Sequence, residues 1–306
     1  MSIALVIPDR KLDQLQMKLQ QLLPEVPIEV WPDIQQPEAV RLAVLWRQPP
    51  GALAAMTGLQ ALHSFGAGVD NILSDPTLPA LPLARIVDPA LTSSMLNYLH
   101  AMVMHYQLRL DQFAQQQRQQ LWKQRSPRKL QQICVLGLGE LGAAAAQFFQ
   151  QQGFAVSGWS ATAKQLSQIR CHHGEAGFAA AVADADLVIC LLPLTAHTEN
   201  LLDQQALAQF KPGAILLNVA RGAILDDLAL LQSLDSGHLS AACLDVFRTE
   251  PLPAEHPFWA HPAIQVTPHI SAVTNADTAV AQIAENYRRT VAGLPLLNLV
   301  DQQRGY

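Results

Sequence analysis

The sequence predicts an α/β fold in two parts, each a parallel sheet wound with helices on both faces. Three observations predict it. Short apolar runs alternate with stretches of helical spacing along most of the chain, the pattern of a parallel sheet covered on both sides. The run Ile133-Cys134-Val135-Leu136 leads at once into a glycine turn and a helix-like segment. The length of 306 residues, half of them hydrophobic, suits two domains with sizeable cores.

Residues 3–7 read as a first strand. Residues 9–23 have helical spacing, with Leu12, Leu15, Leu19, Leu22 and Leu23 on one face and Pro24 as the stop. Residues 28–31, 42–46 and 62–65 are strand candidates, and 86–88 a last short strand. Gly66-Ala67-Gly68-Val69-Asp70 follows the fourth run; it reads equally well as a tight turn or as backbone N–H groups presented to an anion. Residues 92–122 predict one long helical stretch, glutamine-rich from Gln112 and closed by Pro127. It is either a joining helix with an arm for a second subunit or a solvated polar helix.

The second part starts at Leu130. Beyond the glycine turn, strands are expected at 154–159, 187–192, 214–219, 242–246 and 264–267. Helices are expected at 203–210 and 226–236, the latter with Asp226 and Asp227 at its start and Gly237 at its stop. A last helix over 275–292 returns to the first part. The domains are then 1–98 plus 275–306, which is discontinuous, and 99–274.

Composition excludes several classes. Net charge is −5, with 20 basic residues scattered among 25 acidic ones, which argues against nucleic acid. The apolar N-terminal run lacks a basic flank and breaks at Pro8, so it reads as a strand and not a signal peptide. No apolar run approaches the ~18 residues of a membrane span. Cys134, Cys171, Cys190 and Cys243 form no C-x-x-C pair and read as free thiols in a reducing cytoplasm. The histidines lack a ligand set with carboxylates or cysteines, so no metal is expected. No G-x-S-x-G elbow or P-loop lysine occurs.

Gly137, Gly139 and Gly142 stand in G-x-G-x-x-G spacing between strand and helix, the context in which this spacing means dinucleotide binding. The first glycine permits the turn, the second lets the pyrophosphate approach, and the third lets helix pack on strand. The acidic residue that would hold a ribose 2′-OH is missing. Ser160 stands there, followed by Ala161, Thr162, Ala163 and Lys164. Hydroxyls and a lysine accept a 2′-phosphate that a carboxylate would repel, so NADPH is the expected cofactor, with NADH as the alternative.

Ligands of doubly wound sheets bind outside the carboxyl ends of strands. Arg221, Asp245, Glu250 and His269 all follow such ends. Singly, each has a structural reading as ion pair, cap or loop residue. Together on one edge of a nucleotide sheet they point to catalysis.

Three further stretches, K-P-G-A-I-L-L-N-V-A-R-G-A-I-L-D-D-L-A-L, L-D-V-F-R-T-E-P-L-P and P-F-W-A-H-P-A-I-Q-V-T-P-H-I-S, resemble the signature of the D-isomer-specific 2-hydroxyacid dehydrogenases. With G-L-G-E-L-G and G-A-G-V-D, the resemblance covers nearly the whole chain. Within the family, the W-S-x-T segment, Trp46 in L-W-R-Q-P-P and the terminal R-G-Y look most like the glyoxylate/hydroxypyruvate reductases. The resemblance implies a Rossmann cofactor domain and a smaller flavodoxin-like catalytic domain made from both chain ends. It implies that Arg221 grips the substrate carboxylate and carbonyl, that His269 is the acid/base and that Glu250 is its paired carboxylate. Ala67 and Gly68 become backbone donors to the substrate, with Trp46 beside it, and Asp245 a residue near the nicotinamide amide. The implied cofactor contacts further include Met95, Glu140, Leu141, Leu192, Pro193, Thr198, Val219 and Ala220, besides the glycines, Ser160, Thr162, Lys164, Arg221 and His269. Relatives with W-S-R-T carry an arginine where this chain has Ala161, and Ala163 replaces a second; this weakens the NADPH selectivity to be expected. The implied activity is reduction of a small 2-oxo acid, glyoxylate or hydroxypyruvate, to glycolate or D-glycerate by a cytoplasmic homodimer. The other readings are a phosphoglycerate- or D-lactate-type dehydrogenase and a cofactor-gated binding protein resembling the corepressors of this fold.

Overall fold

The computed structural model describes residues 1–8, 10–272 and 276–305. Asp9 and Asn275, where the first and last helices were expected to begin, and Tyr306 of the terminal R-G-Y lie outside the described residues. The chain divides into two compact units: Met1–Leu91 with Thr274–Tyr306, and Thr92–Val273. Among the described residues no helix is long and apolar enough to cross a membrane.

The first unit runs β1 (Ser2–Val6), α1 (Asp13–Leu22), β2 (Ile28–Val30), β3 (Val40–Leu45), β4 (Ala61–Ser64), α2 (Asp70–Leu73) and β5 (Leu83–Ala84). The strands form one parallel sheet in the order β2-β1-β3-β4-β5, the flavodoxin-like winding. Strand alternation sends Ile3, Leu5, Leu42 and Val44 to one face and Ala4, Val6, Ala43 and Leu45 to the other; all are fully buried. A strand buried on both faces has to be apolar throughout, and this is why these runs are legible. The last strand is not at 86–88. It is the short pair Leu83–Ala84, because Val300 N–H and Arg85 N–H bond to Leu83 and Asn298 carbonyls and tie this stretch to the chain's end.

The second unit opens in α3 (Pro89–Gln107), followed by α4 (Leu110–Arg118). The single helix expected over 92–122 is thus two, ending at Arg118. Arg109 sits between them in the left-handed region at φ 60. The break is held from downstream. Arg128 N–H bonds to Gln107 O, its guanidinium bonds to Tyr106 O and clasps Asp111, and Arg109 Nε donates to Ser126 O. Carbonyls at the end of α3 therefore find partners outside the helix, and it stops there.

The elements that follow are β6 (Gln132–Leu136), α5 (Glu140–Gln151), β7 (Ala155–Ser160), β8 (Arg170–His173), α6 (Gly174–Val182), β9 (Leu187–Cys190), α7 (Gln204–Ala208), β10 (Ala214–Asn218), α8 (Asp227–Asp235), β11 (Leu239–Leu244) and β12 (Ile264–Val266). Asp203 and Asp226 cap α7 and α8, accepting from Ala206 and Ala229 N–H. The strands form a parallel sheet in the order β12-β11-β10-β9-β6-β7-β8, a doubly wound Rossmann topology whose direction reverses between β6 and β9. One face packs against α3 and α5 through Leu99, Val103, Ala145 and Phe149, the other against α6, α7 and α8 through Phe178, Leu207 and Leu230. The final helix, α9 (Ala276–Val291), belongs to the first unit, where Ala279, Ile283 and Ala284 pack with α1 on the first sheet.

Candidate active site

The glycine turn lies at the reversal point of the second sheet. Gly137 takes φ +98, a conformation costly for any side chain, and an added Cβ would sit 2.7 Å from Leu191 O, at the end of β9. A Cβ on Gly142 would lie 1.7 Å from Gly137 O, so α5 can close on the turn only with glycine there. Gly139 differs: an added Cβ would meet nothing within 4 Å. Its space is left empty by the protein, directly at the N-terminus of α5, which no side chain caps. Uncapped amides facing vacant space at a helix N-terminus suit a pyrophosphate. The residues present thus fit a dinucleotide.

Ser160 ends β7, nearly buried, and its hydroxyl donates to Thr162 O at 2.8 Å. Lys164 is exposed in the same loop. Met95, Leu192, Val219 and Ala220 are buried in the two cores of the second unit. Thr198 Oγ1 donates to Pro193 O at 2.6 Å and accepts from Thr195 N, which folds the loop after β9. Glu140 and Leu141 begin α5, with the Glu140 carboxylate in its first turn.

Across β10, β11 and β12 the carboxyl ends stay in step, with Asn218 beside Leu244 and Leu244 beside Val266. The residues just past these ends therefore share one edge. Arg221 begins a short 3-10 turn, Gly222–Ile224, and its guanidinium donates to Ala220 O. Buried Asn218 braces this loop, accepting from Ala220 N and donating to Arg221 O. His269 lies two residues past Thr267, in left-handed backbone at φ 53. Its Nδ1 meets Glu250 Oε2 at 2.9 Å, and Glu250 Oε1 accepts from Phe247 N at 3.0 Å. The carboxylate is thereby fixed at one oxygen and holds the imidazole with the other, which leaves Nε2 as the ring nitrogen for a substrate.

Asp245, the residue implied to lie near the nicotinamide amide, directly follows β11. Its side chain is fully buried. Oδ1 accepts from Thr267 Oγ1 (2.6 Å) and Ile270 N (2.9 Å), Oδ2 from Ser271 N (2.8 Å), and its carbonyl accepts from His269 N (2.9 Å). Every one of these bonds ends on the segment that carries His269. The chain of bonds continues outward: Tyr98 on α3 meets Thr267 Oγ1 at 2.6 Å, and because Thr267 spends its proton on Asp245, Tyr98 is the donor. Burial, first, and the neighbouring Cys243 thiol push the Tyr98 hydroxyl well above the usual tyrosine range, which keeps that proton in place.

With this geometry in view, residues 100–271 match the D-isomer specific 2-hydroxyacid dehydrogenase NAD-binding domain, more than half of the chain. The chain belongs to the D-isomer-specific 2-hydroxyacid dehydrogenase family. A relative 40% identical over 296 residues, spanning 94% of each chain, is the glyoxylate/hydroxypyruvate reductase A of Photorhabdus laumondii. A D-isomer specific 2-hydroxyacid dehydrogenase from Xanthobacter autotrophicus, solved with NADPH and MES, superposes with a TM-score of 0.94 at 36% identity, covering 100% of this chain and 99% of its own. The NADPH-dependent glyoxylate/hydroxypyruvate reductase of Sinorhizobium meliloti, solved with NADP and sulfate, superposes with a TM-score of 0.93 at 28% identity, covering 100% of both.

For this dehydrogenase the other sequence-predicted residues lie in the first unit. Trp46 follows β3, and Ala67 and Gly68 follow β4. A Cβ on Gly66 would come within 2.4 Å of the Trp46 ring, so that ring rests against the loop. Sequence reasoning missed Asn218, Thr267 and Tyr98. Asn218 had a signal, a lone amide ending the apolar run A-I-L-L-N; Tyr98 had none, since its partners are distant in sequence.

Proposed function

We propose that this dehydrogenase reduces glyoxylate or hydroxypyruvate to glycolate or D-glycerate with NADPH. The observation that carries the reading is the His269–Glu250 pair on the strand-end edge that also bears Arg221. The turn of Gly137, Gly139 and Gly142, with the Glu140 and Leu141 backbone, holds the pyrophosphate. Ser160, Thr162 and Lys164 take the 2′-phosphate, and Met95, Leu192, Pro193, Thr198, Val219 and Ala220 line the path of the dinucleotide. When bound, the nicotinamide supplies the hydride that the substrate's carbonyl carbon receives.

The protein's own groups do the rest. In the second unit Arg221 is the ligand for the substrate carboxylate, by charge-assisted hydrogen bonds; in the first unit the amides of Ala67 and Gly68, with Trp46, are the groups for substrate. Protonated His269 donates from Nε2 to the carbonyl oxygen as negative charge grows there. Glu250 fixes the ring's orientation through Nδ1. Arg221 offsets charge on the same oxygen. Asp245 acts through the segment it holds and is a positioning residue.

Initial rates with a panel of 2-oxo acids and both dinucleotides test this. The expected result is turnover of glyoxylate and hydroxypyruvate with a higher kcat/KM for NADPH; a clear NADH preference refutes the cofactor reading. Arg221→Ala should raise KM and lower kcat together, and an unchanged KM would tell against carboxylate binding.

The reading extends to a cytoplasmic homodimer. The thiols of Cys134, Cys190 and Cys243 are free and buried, each pushed up to about 12 by burial, as suits a reducing compartment. Leu108, Leu110, Leu121 and Trp122 expose apolar surface along the α4 arm, Trp122 completely. This is the surface for a second copy. Light scattering should give a dimer mass for the protein and a monomer mass for W122A/L121A.

A further inference from the structure

The nucleotide sheet has a second polar edge, at the amino ends of its strands. The starts of β6, β9, β10 and β11 lie side by side there, roughly 15 Å along the strands from the edge that carries Arg221 and His269. A cleft of about 350 Å³ opens between these strand starts and the segment that joins α3 to β6. Arg109, Arg128, Lys129 and Lys211 line it. Four of the chain's 20 basic residues thus meet in one cleft of a protein whose net charge is −5, a local positive field on an acidic background.

Two of the four charges are neutralised. Arg128 clasps Asp111 through both of its Nη atoms, at 2.9 and 2.7 Å, and Lys211 Nζ meets Asp186 Oδ1 at 2.6 Å. Asp186 is fixed in turn, its Oδ2 accepting from Gln131 N at 2.8 Å and Gln132 N at 3.0 Å. These pairs form walls of net zero charge. The other two charges have no carboxylate. Arg109, half-buried, gives Nε to Ser126 O at 2.7 Å and Nη1 to Gln112 Oε1 at 3.1 Å, both neutral acceptors. Among the described residues its Nη2 has no acceptor, and Lys129, exposed beside Arg128, makes no hydrogen bond or ion pair. Packing accounts for Arg128 and Lys211; it gives Lys129 and the free arm of the Arg109 fork no role.

We propose that this cleft binds a small anion with two adjacent charged groups, a diphosphate or a polycarboxylate. Arg109 Nη2 takes one group and Lys129 Nζ the other, by charge-assisted hydrogen bonds. The volume lies at the low end of the ~300–1,000 Å³ of small-molecule sites, which suits such an ion better than a lone monovalent one. The site belongs wholly to the second unit and lies on the sheet edge opposite the glycine turn, so cofactor and anion are bound at once. It is independent of which 2-oxo acid is reduced. An ion held there ties the segment around the α3–α4 break to the strand starts, and so stabilises the fold by mass action.

Calorimetric titration and melting temperature test it on the full chain saturated with NADPH, so that the dinucleotide site is filled. Pyrophosphate and citrate are the probes, with acetate at matched ionic strength as the control. At least one probe should bind and raise the melting temperature while acetate does neither, and the tighter of the two distinguishes phosphate from carboxylate. In K129Q and in R109Q the affinity for that probe should fall about tenfold, with partial recovery in R109K and with NADPH affinity unchanged. Arg109 also braces Ser126; if R109Q does not fold, K129Q decides alone, because Lys129 holds nothing in place. Binding of neither probe, or stabilisation by acetate equal to theirs, overturns the site. So does an affinity that is the same in K129Q as in the parent, which would put the anion elsewhere on the protein.

Discussion

At β6 the carboxyl edge of the nucleotide sheet is shaped by missing side chains; across β10, β11 and β12 it is shaped by buried polar ones. Gly137 and Gly142 work because a single carbon would collide with backbone, and Gly139 because a carbon would fill space the protein leaves vacant. On the other side Asn218, Asp245 and Glu250 hold Arg221 and His269 through directed hydrogen bonds from sequence-local and distant partners. The first kind of site answers to volume. The second answers to charge and proton count at constant volume. Substitutions of the two kinds should therefore fail in different ways.

The largest effect is expected for His269→Ala. A general acid contributes ~10²–10⁴-fold, so kcat should drop by that order while NADPH fluorescence titration still reports binding. Near-normal turnover would remove His269 from the chemistry. On the glycine side, Gly142→Ala puts a carbon where Gly137 O is and should cost about 1–3 kcal/mol of overpacking, read in the melting temperature and in weaker NADPH binding. Gly139→Ala should weaken NADPH binding with the melting temperature unmoved; if both glycine variants melt alike, the volume argument is wrong.

His63 extends the contrast to a buried polar group held by a single bond. It is fully buried in β4, its Nδ1 bonds to Ser64 O, and its Nε2 has no hydrogen-bond partner. Burial lowers its pKa to about 4, against a backbone bond that raises it. The unfolded chain takes up that proton near 6.5, so the stability is fully present above that pH and is lost as pH falls toward 4. The loss near pH 5 is about 2 kcal/mol, to be read from urea midpoints near pH 5 and pH 7, and H63Q should flatten the slope. Asp245→Asn keeps volume but turns an acceptor of three bonds into a group with its own donors. About tenfold in kcat is expected, and a loss of cofactor affinity beside it would bear out the implied place of Asp245 near the nicotinamide amide. The smallest effect belongs to Tyr98→Phe, one hydrogen bond from the same network, worth about 1 kcal/mol in a melt.

What could be read in the sequence divides along the same line. The glycine turn was legible because its causes are local and steric, and strands buried on both faces announce themselves as apolar runs. Arg221, Asp245, Glu250 and His269 were legible as polar residues just past such runs. The work of Asp245 was not, because its partners lie 22 to 26 positions on. The break between α3 and α4 was hidden for the same reason: the residues that end α3 are Ser126 and Arg128, which no helical periodicity contains. Strand β8, R-C-H-H, is polar enough to read as loop and is a strand only because β7 is there to pair with it.

Gly222 carries a consequence for how this protein can change. A Cβ there would lie 2.0 Å from the Phe247 carbonyl carbon and 2.3 Å from Arg248 N, so the turn behind Arg221 rests directly on the stretch that leads to Glu250. Arg248 adds a clasp, donating to Leu225 O at 2.6 Å. The arginine and the acid–base pair are thereby mounted on one bracket. Random substitutions in either stretch should reveal themselves as joint losses in substrate grip and proton transfer. Gains of new specificity should arise as compensating pairs, one from each side of the contact, and single-site libraries here will be poor in improved variants.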